Sequence, residues 1–493
     1  MNLTPSAGFV KQSLSSHSWL GLMVGALMFM VCLSGTIAVF YPEFERWEQP
    51  RVQEFVNYDP AVIERAYHEL VAGGVEVTEH MFVALPSPDA PRASISSEKE
   101  GWYINQDGSR GEKVNHEWTH LLINLHLYLH LPESFGMILV SALGAILCGL
   151  IVSGLLAHPR IFKDAFVLRL GGSRHLEQAD IHNRLSVWSS PFQLMIAITG
   201  AYFGLAQLIA FALAGVYTNG NVEQLFERVF GAEPKLQQTL TPIALNKAIT
   251  RVRAMAPDAT PLYVTIEEAG TPQQYMLVGA QHPQRLIYAE QYRFDTAGNY
   301  LDKVGYSDGE PGRQVVFSVY RLHFGHFGGF AVKVLYFILG LALSVVSVTG
   351  FNIWLIKRKR RDFLNNVWVG FVWGAPPGLA LSAIAQVLLG IPATAVLWLA
   401  IVVACAAAQW WNDELLAKRR LQIAGAVTIA ALIVGYLIKF GAAAFIPVAI
   451  GVNASLLASA IVLLMMGYRK PAAVGSLATN HQIGGEPERT NAG

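Results

Sequence analysis

Eight stretches of this chain are apolar over about twenty residues each, the length that crosses a bilayer at 1.5 Å rise per residue. They are Trp19–Phe40, Glu133–Ala157, Leu185–Val216 and Ala331–Ile356, then 372–390, 393–411, 421–439 and 443–467. A backbone in lipid has to satisfy its own hydrogen bonds, so runs of this length predict membrane helices. Composition agrees: only 14% of residues are charged and 53% are hydrophobic, against about 25% charged in soluble domains. The first stretch is too long for a signal h-region and no A-x-A-like site follows it, so it is expected to remain as an anchor.

The basic residues give the expected orientation. Lys11, the loop bearing Arg160, Lys163, Arg169, Arg174 and Arg184, the run "KRKRR" at 357–361, "KRR" at 418–420 and Arg469/Lys470 all fall on one side of an eight-span topology. By the positive-inside rule that side is cytoplasmic, with both termini on it. Two long polar segments then lie outside. Each begins with a helix-like stretch, "DPAVIERAYHELVAGG" or "TPIALNKAITRVRAMAP", and continues as alternating apolar and polar residues. Each reads as a small α+β module.

The expected organisation is therefore a first span at 10–40, an outer module at 41–125, and an outer-face helix with the second span at 126–157. A cytoplasmic loop at 158–184, a third span at 185–216, a second outer module at 217–318 and a fourth span at 319–356 follow. A basic loop at 357–371, four additional spans at 372–467 and a disordered tail at 468–493 complete it.

An internal repeat organises the histidines. His17 precedes Ser34-Gly35 by 18 residues to the glycine, and His182 precedes Thr199-Gly200 by the same 18. His126 and His323 precede the glycines of Ser153-Gly154 and Thr349-Gly350 by 28 and 27. The chain thus reads as two copies of span, outer module, span, with small residues that let helices approach closely. A pseudo-two-fold bundle would pair His17 with His182 at the cytoplasmic face and His126 with His323 at the outer face. Two bis-histidine sites on opposite faces are what a transmembrane pair of b-type haems requires, since haem iron accepts axial imidazole and apolar helices bury the porphyrin.

Several alternatives share these residues. His130 and His326 each lie 24 residues before their glycines, so they also obey the repeat and are second choices at the outer face. The four outer histidines could instead form a metal site of their own, because neutral imidazole suits Zn, Cu, Fe or Ni. His158 breaks the repeat, yet it could replace His17 or meet a haem propionate. His116 and His120 are explained as well by surface polarity as by metal binding, and His68, His80, His175, His282 and His481 read as solvated. The cysteines Cys32, Cys148 and Cys405 each sit inside an apolar run as packing residues, and no C-x-x-C-H offers covalent haem attachment.

No G-x-G-x-x-G after a strand, P-loop, G-x-S-x-G or H-E-x-x-H is present, so the sequence offers no evident flavin, nicotinamide, nucleotide or hydrolytic site. Electrons would come from a quinol or a cytoplasmic flavoprotein. The net charge of +1 argues against nucleic acid as a partner.

Four segments carry a family resemblance: "LSSHSWLGLMVGALMFMVCLSGTIAVFYPEFERW", "LHLYLHLPESFGMILV", "DIHNRLSVWSSPFQLMIAITG" and "YRLHFGHFGGFAVKVLYFILGLALSVVSVTGFNIWLIKRKRR". They resemble the PepSY-associated transmembrane family, the iron-regulated inner-membrane proteins that include ferric-siderophore reductases, over roughly residues 10–362. The resemblance implies a bacterial inner-membrane protein with b-type haem that passes electrons outward to an Fe(III)-siderophore or other ferric chelate, with PepSY modules outside. It places the family's leading histidines on His17, His126, His182 and His323. His326 stands where the family pattern has an arginine, which favours His323. The rival classes are a siderophore, haem or metal transporter, for which the spans hold few charges, and a PepSY sensor or scaffold, which leaves the histidine repeat unexplained.

Overall fold

The computed structural model describes residues 6–157, 161, 165–169 and 173–469. His158 and the tail from 470 onward lie outside the described residues. Among the described residues, eight helices are long and apolar enough to cross a membrane, as a multi-pass membrane protein requires. Four of them are α1 (Ala7–Ala38), α5 (Glu133–Ala157), α7 (Ser190–Tyr217) and α11 (Gly329–Lys357). Three shorter helices lead into the last three of these: α4 (Glu117–Tyr128), α6 (Arg174–Trp188) and α10 (Pro311–Phe324). In the bundle α1 packs between α5 and α11, α7 packs on the far side of α5, and α6 lies against α11.

The third span starts later than its apolar run suggests. Ser189 closes α6 and opens α7, and Pro191 lies in the first turn of the new helix. A proline has no N–H and is tolerated at a helix start, where that donor has no partner anyway. Residues 185–188 therefore belong to the preceding helix. The fifth span departs the other way: α12 (Phe363–Ala383) begins at the Asp362 capping box and runs through Pro376 and Pro377 into a π-turn at Ile384–Leu388. Neighbouring helices allow prolines inside membrane helices, and here both pack at Gly425.

The last three spans are α13 (Ala393–Trp411), α14 (Glu414–Phe440) and α15 (Pro447–Tyr468). This C-terminal group is fastened to the first four spans by tryptophans whose N–H groups find partners, as buried indoles require. Trp368 stacks on Phe351 at 4.1 Å and donates to Asn352 Oδ1 at 2.9 Å. Trp118 donates to Ser382 Oγ at 3.1 Å. Trp47, fully buried in α2 (Tyr41–Glu48), lies parallel to Tyr436 at 4.7 Å and donates to Asn453 Oδ1 at 3.1 Å.

The two polar segments do not stay apart. The first holds α3 (Pro60–Ala72) and strands β1 (Met81–Ala84), β2 (Ala93–Ser96), β3 (Gly101–Ile104) and β4 (Arg110–Lys113). The second holds α8 (Val222–Phe230), α9 (Leu245–Met255) and strands β5 (Thr260–Glu267), β6 (Tyr275–Gln281), β7 (Glu290–Asp295) and β8 (Tyr300–Val304). All eight strands form one sheet in the order β4-β3-β2-β1-β5-β6-β7-β8, palindromic about the β1–β5 junction. That junction is antiparallel, with Val83 opposite Val264 and Met81 opposite Ile266. Helices α3 and α9 pack on each other, and their Ile63, Leu70, Ile249 and Val252 share one core with Val83, Ile95, Val264 and Val278 of the sheet. Closing an edge on each half removes two exposed strand edges that would otherwise template aggregation.

Candidate functional site: two facing histidine pairs

The bundle places the four repeat histidines in two pairs. His17 and His182 lie at the end where α1 begins, with ring centroids 6.3 Å apart and ring planes at 81°. His126 and His323 lie at the end nearest the sheet, with centroids 6.0 Å apart and planes at 34°. An imidazole nitrogen binds a first-row metal at about 2 Å, so two imidazoles on opposite sides of one ion stand roughly 6 Å apart between ring centres.

Each histidine is held by its Nδ1. His17 Nδ1 donates to the Leu150 carbonyl at 3.0 Å and lies 3.3 Å from Ser153 Oγ. His182 repeats this with the Val346 carbonyl at 3.1 Å and Thr349 Oγ1 at 3.2 Å. His126 Nδ1 donates to the Val31 carbonyl at 2.9 Å, and His323 Nδ1 meets Thr199 Oγ1 at 2.8 Å. The Thr199 hydroxyl itself donates to the Met195 carbonyl at 2.7 Å, so its oxygen is left to accept. Holding the proton on Nδ1 leaves the lone pair on Nε2, the arrangement that metal-binding histidines show.

The repeat glycines now have a role. A side chain at Gly35 would overlap the His126 ring; at Gly154, Gly200 and Gly350 it would press on His17, His323 and His182 at 3.1, 3.2 and 3.2 Å. Each glycine is thus the shelf on which the other helix's histidine lies. Within each repeat the two spans exchange these parts: α1 gives His17 to Gly154 of α5 and takes His126, from just before α5, on its own Gly35.

Two cavities adjoin the pairs. The one beside His126 and His323 is lined mainly by apolar groups, among them Phe203, Phe324 and Tyr336. The other, beside His17 and His182, also meets Asn183, His175 and Lys357. Nε2 of His175 is buried there with no hydrogen-bond partner among the described residues. His175, read from sequence as solvated, is therefore a cavity residue, and no spacing signal marks it. Met28, Leu147 and Leu343 line both cavities. His17 and Val31 are fourteen positions apart on α1, roughly 21 Å along the axis.

The second-choice outer histidines point elsewhere. His130 takes a left-handed backbone, φ 57°, directly after Leu129 at φ 56°. Its Nε2 donates to the Leu121 carbonyl at 2.9 Å and its Nδ1 accepts from Trp398 Nε1 at 3.0 Å, so both ring nitrogens are engaged away from His323. His326 lies against Tyr41 and Phe324, each 5.8 Å between ring centres. The four outer histidines do not converge on one point, which removes the single metal site they could have formed. His68, His80 and His282 bond to Ile243, Glu267 and Tyr292 in the sheet domain.

The donor set fits haem: paired imidazoles at ligating separation, anchored Nδ1 protons, glycines that admit the rings, and apolar cavities beside them. Among known proteins, an uncharacterized protein of Pseudomonas aeruginosa (PA4219) is 25% identical over 281 residues, which is 53% of this chain and 70% of that protein. The family model of the PepSY-associated TM region matches residues 14–357, more than two thirds of the chain and all four facing histidines. The chain belongs to that family.

Proposed function

We propose that this protein is a transmembrane oxidoreductase of the bacterial inner membrane, with two non-covalent b-type haems, that carries electrons outward to a ferric chelate. The observation that carries this reading is the pair of facing imidazole couples, 6.3 and 6.0 Å between centroids, at opposite ends of one bundle. Bound there, haem supplies one-electron Fe(III)/Fe(II) chemistry. His17 and His182 would hold the inner group and His126 and His323 the outer one. Met28, Leu147 and Leu343 fill the space between and keep water out of it.

The basic face, with Lys357 at its cavity, would lie in the cytoplasm and take electrons from a quinol or flavoprotein. The eight-stranded sheet, a fused pair of PepSY-like halves, would lie in the periplasm as the docking surface for an Fe(III)-siderophore. Each Fe(III) takes one electron and becomes Fe(II). Hard oxygen ligands hold Fe(II) less strongly, so the chelate releases it.

The test is spectroscopic. Purified protein should carry two haems per chain, show a b-type reduced-minus-oxidised spectrum, and be reoxidised anaerobically by an Fe(III)-hydroxamate. A chain without haem bands would instead fit a transporter or a PepSY scaffold. A haem protein that the chelate fails to reoxidise would keep the cofactor and lose the substrate.

A further inference from the structure

One cluster outside the two pairs has the chemistry of a metal site. Glu45 on α2, His116 at the start of α4 and His120 one turn later place a ligand atom each within 4.8 Å of one another. His116 and His120 are four apart, so they share one face of the helix. Their rings stand 6.2 Å apart at 87°. His116 is buried, and its Nε2 shares a hydrogen bond of 2.6 Å with the Tyr103 hydroxyl. His116 Nδ1 lies 3.6 Å from Glu45 Oε1, and in the tautomer with its proton on Nε2, anchored by Tyr103, the Nδ1 lone pair is open to an ion, as in metal-binding histidines oriented by an outer-sphere partner.

Glu45 is the member of its helix whose charge has no assigned task. Glu43 pairs with Lys333 at 2.7 Å. Glu48 caps α4, accepting from the Trp118 and Thr119 amides at 3.0 and 2.7 Å.

We propose that Glu45, His116 and His120 form a metal site that takes Fe(II). Two imidazoles and one carboxylate with open positions are the donor set of non-haem Fe(II) centres. The three ligand atoms, within 4.8 Å of one another, would have to draw in to about 2.1 Å from a shared ion, and His120 is exposed and free of packing against the core. His120 and His126 are six residues apart on α4, about 9 Å along the axis, so the site sits beside the outer histidine pair. The assignment of Fe(II) as occupant rests on the proposed function, whose product is Fe(II). The site then receives the ion as its chelate lets go.

The test uses the full chain in detergent, loaded anaerobically with ferrous ion, desalted, and assayed for chelatable non-haem iron. One retained Fe(II) per chain is expected, and Glu45→Gln and His120→Ala should each weaken retention at least tenfold while haem content stays as in wild type. His80→Ala, at an exposed histidine beside Glu267, is the control and should retain the ion. Should both site variants retain as much iron as wild type, or wild type none, the site is refuted. Retention by a chain without haem would uphold this site and remove the reading under Proposed function. A haem-bearing, chelate-oxidised chain that holds no Fe(II) would do the reverse.

Discussion

At the end where α1 begins, His17 and His182 are anchored alike, each on a backbone carbonyl and a neighbouring hydroxyl of the helix it leans on. Near the sheet the anchors differ: His126 uses the Val31 carbonyl, whereas His323 uses the Thr199 hydroxyl. The ring planes follow, at 81° in the inner pair and 34° in the outer. Of the inner histidines, His17 lies on the span α1 and His182 on the short α6, which packs against α11. Both outer ligands ride on short helices that come down from the sheet domain, α4 capped by Glu48 and α10 held by Arg321 through the Arg285, Ile287 and His326 carbonyls. The same repeat thus builds one pair away from the sheet domain and one pair whose helices α4 and α10 are tied to it.

Substitutions at the glycine shelves break this comparison most severely. Gly35→Val should abolish the outer haem alone and Gly154→Val the inner alone, each removing about half of the bound haem as measured by haem content per chain. Alanine separates the shelves further: it overlaps His126 at position 35 but needs only a few tenths of an ångström at Gly154 or Gly350. Gly35→Ala should therefore lose haem where Gly350→Ala keeps it.

Replacing His130 comes next in size. His130→Ala should keep both haems and lower the melting temperature, since two side-chain hydrogen bonds worth about 1 kcal/mol each disappear. Loss of one haem in this variant would make His130 a ligand.

Thr199→Val sharpens the contrast between the anchors. Removing the acceptor makes His323 less basic as a ligand, so the midpoint potential of the outer haem should rise by tens of millivolts in a redox titration while the inner one stays put.

The smallest effect is a pH dependence at the join between sheet and membrane. Burial, opposed by the bonds from Thr119 and Trp118, pushes the Glu48 carboxyl from 4.5 up to about 7. Between those values the folded chain holds a proton that the unfolded chain has released. Stability therefore falls as pH rises through that window and levels off above it. Glu45 adds a change of the same sign. Thermal melts of Glu48→Gln between pH 5 and 8 should show a flatter dependence than wild type.

Much of the site was legible because it lies in a repeat. Equal spacings from histidine to glycine singled out His17, His182, His126 and His323, and these are the residues that face each other. The glycines were visible as pattern but not as shelves, since each serves a histidine on a different helix. The choice between His126 and His130 was not legible: it turns on the left-handed backbone at Leu129–His130 and on Trp398, which lies outside the repeat. The fused sheet was hidden for a similar reason. The β1–β5 pairing joins residues about 180 positions apart, and strand alternation carries no record of the partner strand. The start of the fifth span reads as part of the basic loop at 357–371, because its polar first turn, with Asn365 and Asn366, follows directly on the basic run and only the Asp362 capping box marks it as helix. Glu45 escaped notice because its partners, His116 and His120, are some seventy residues away.

The central claim is that four named imidazoles hold two haems at opposite faces. Haem content and reduced-minus-oxidised spectra of His17→Ala, His323→Ala and the double variant test it most directly. The account predicts about half of the wild-type haem in each single variant, with spectrally distinct remainders, and none in the double. Full haem content in either single variant, or haem retained in the double, would contradict it.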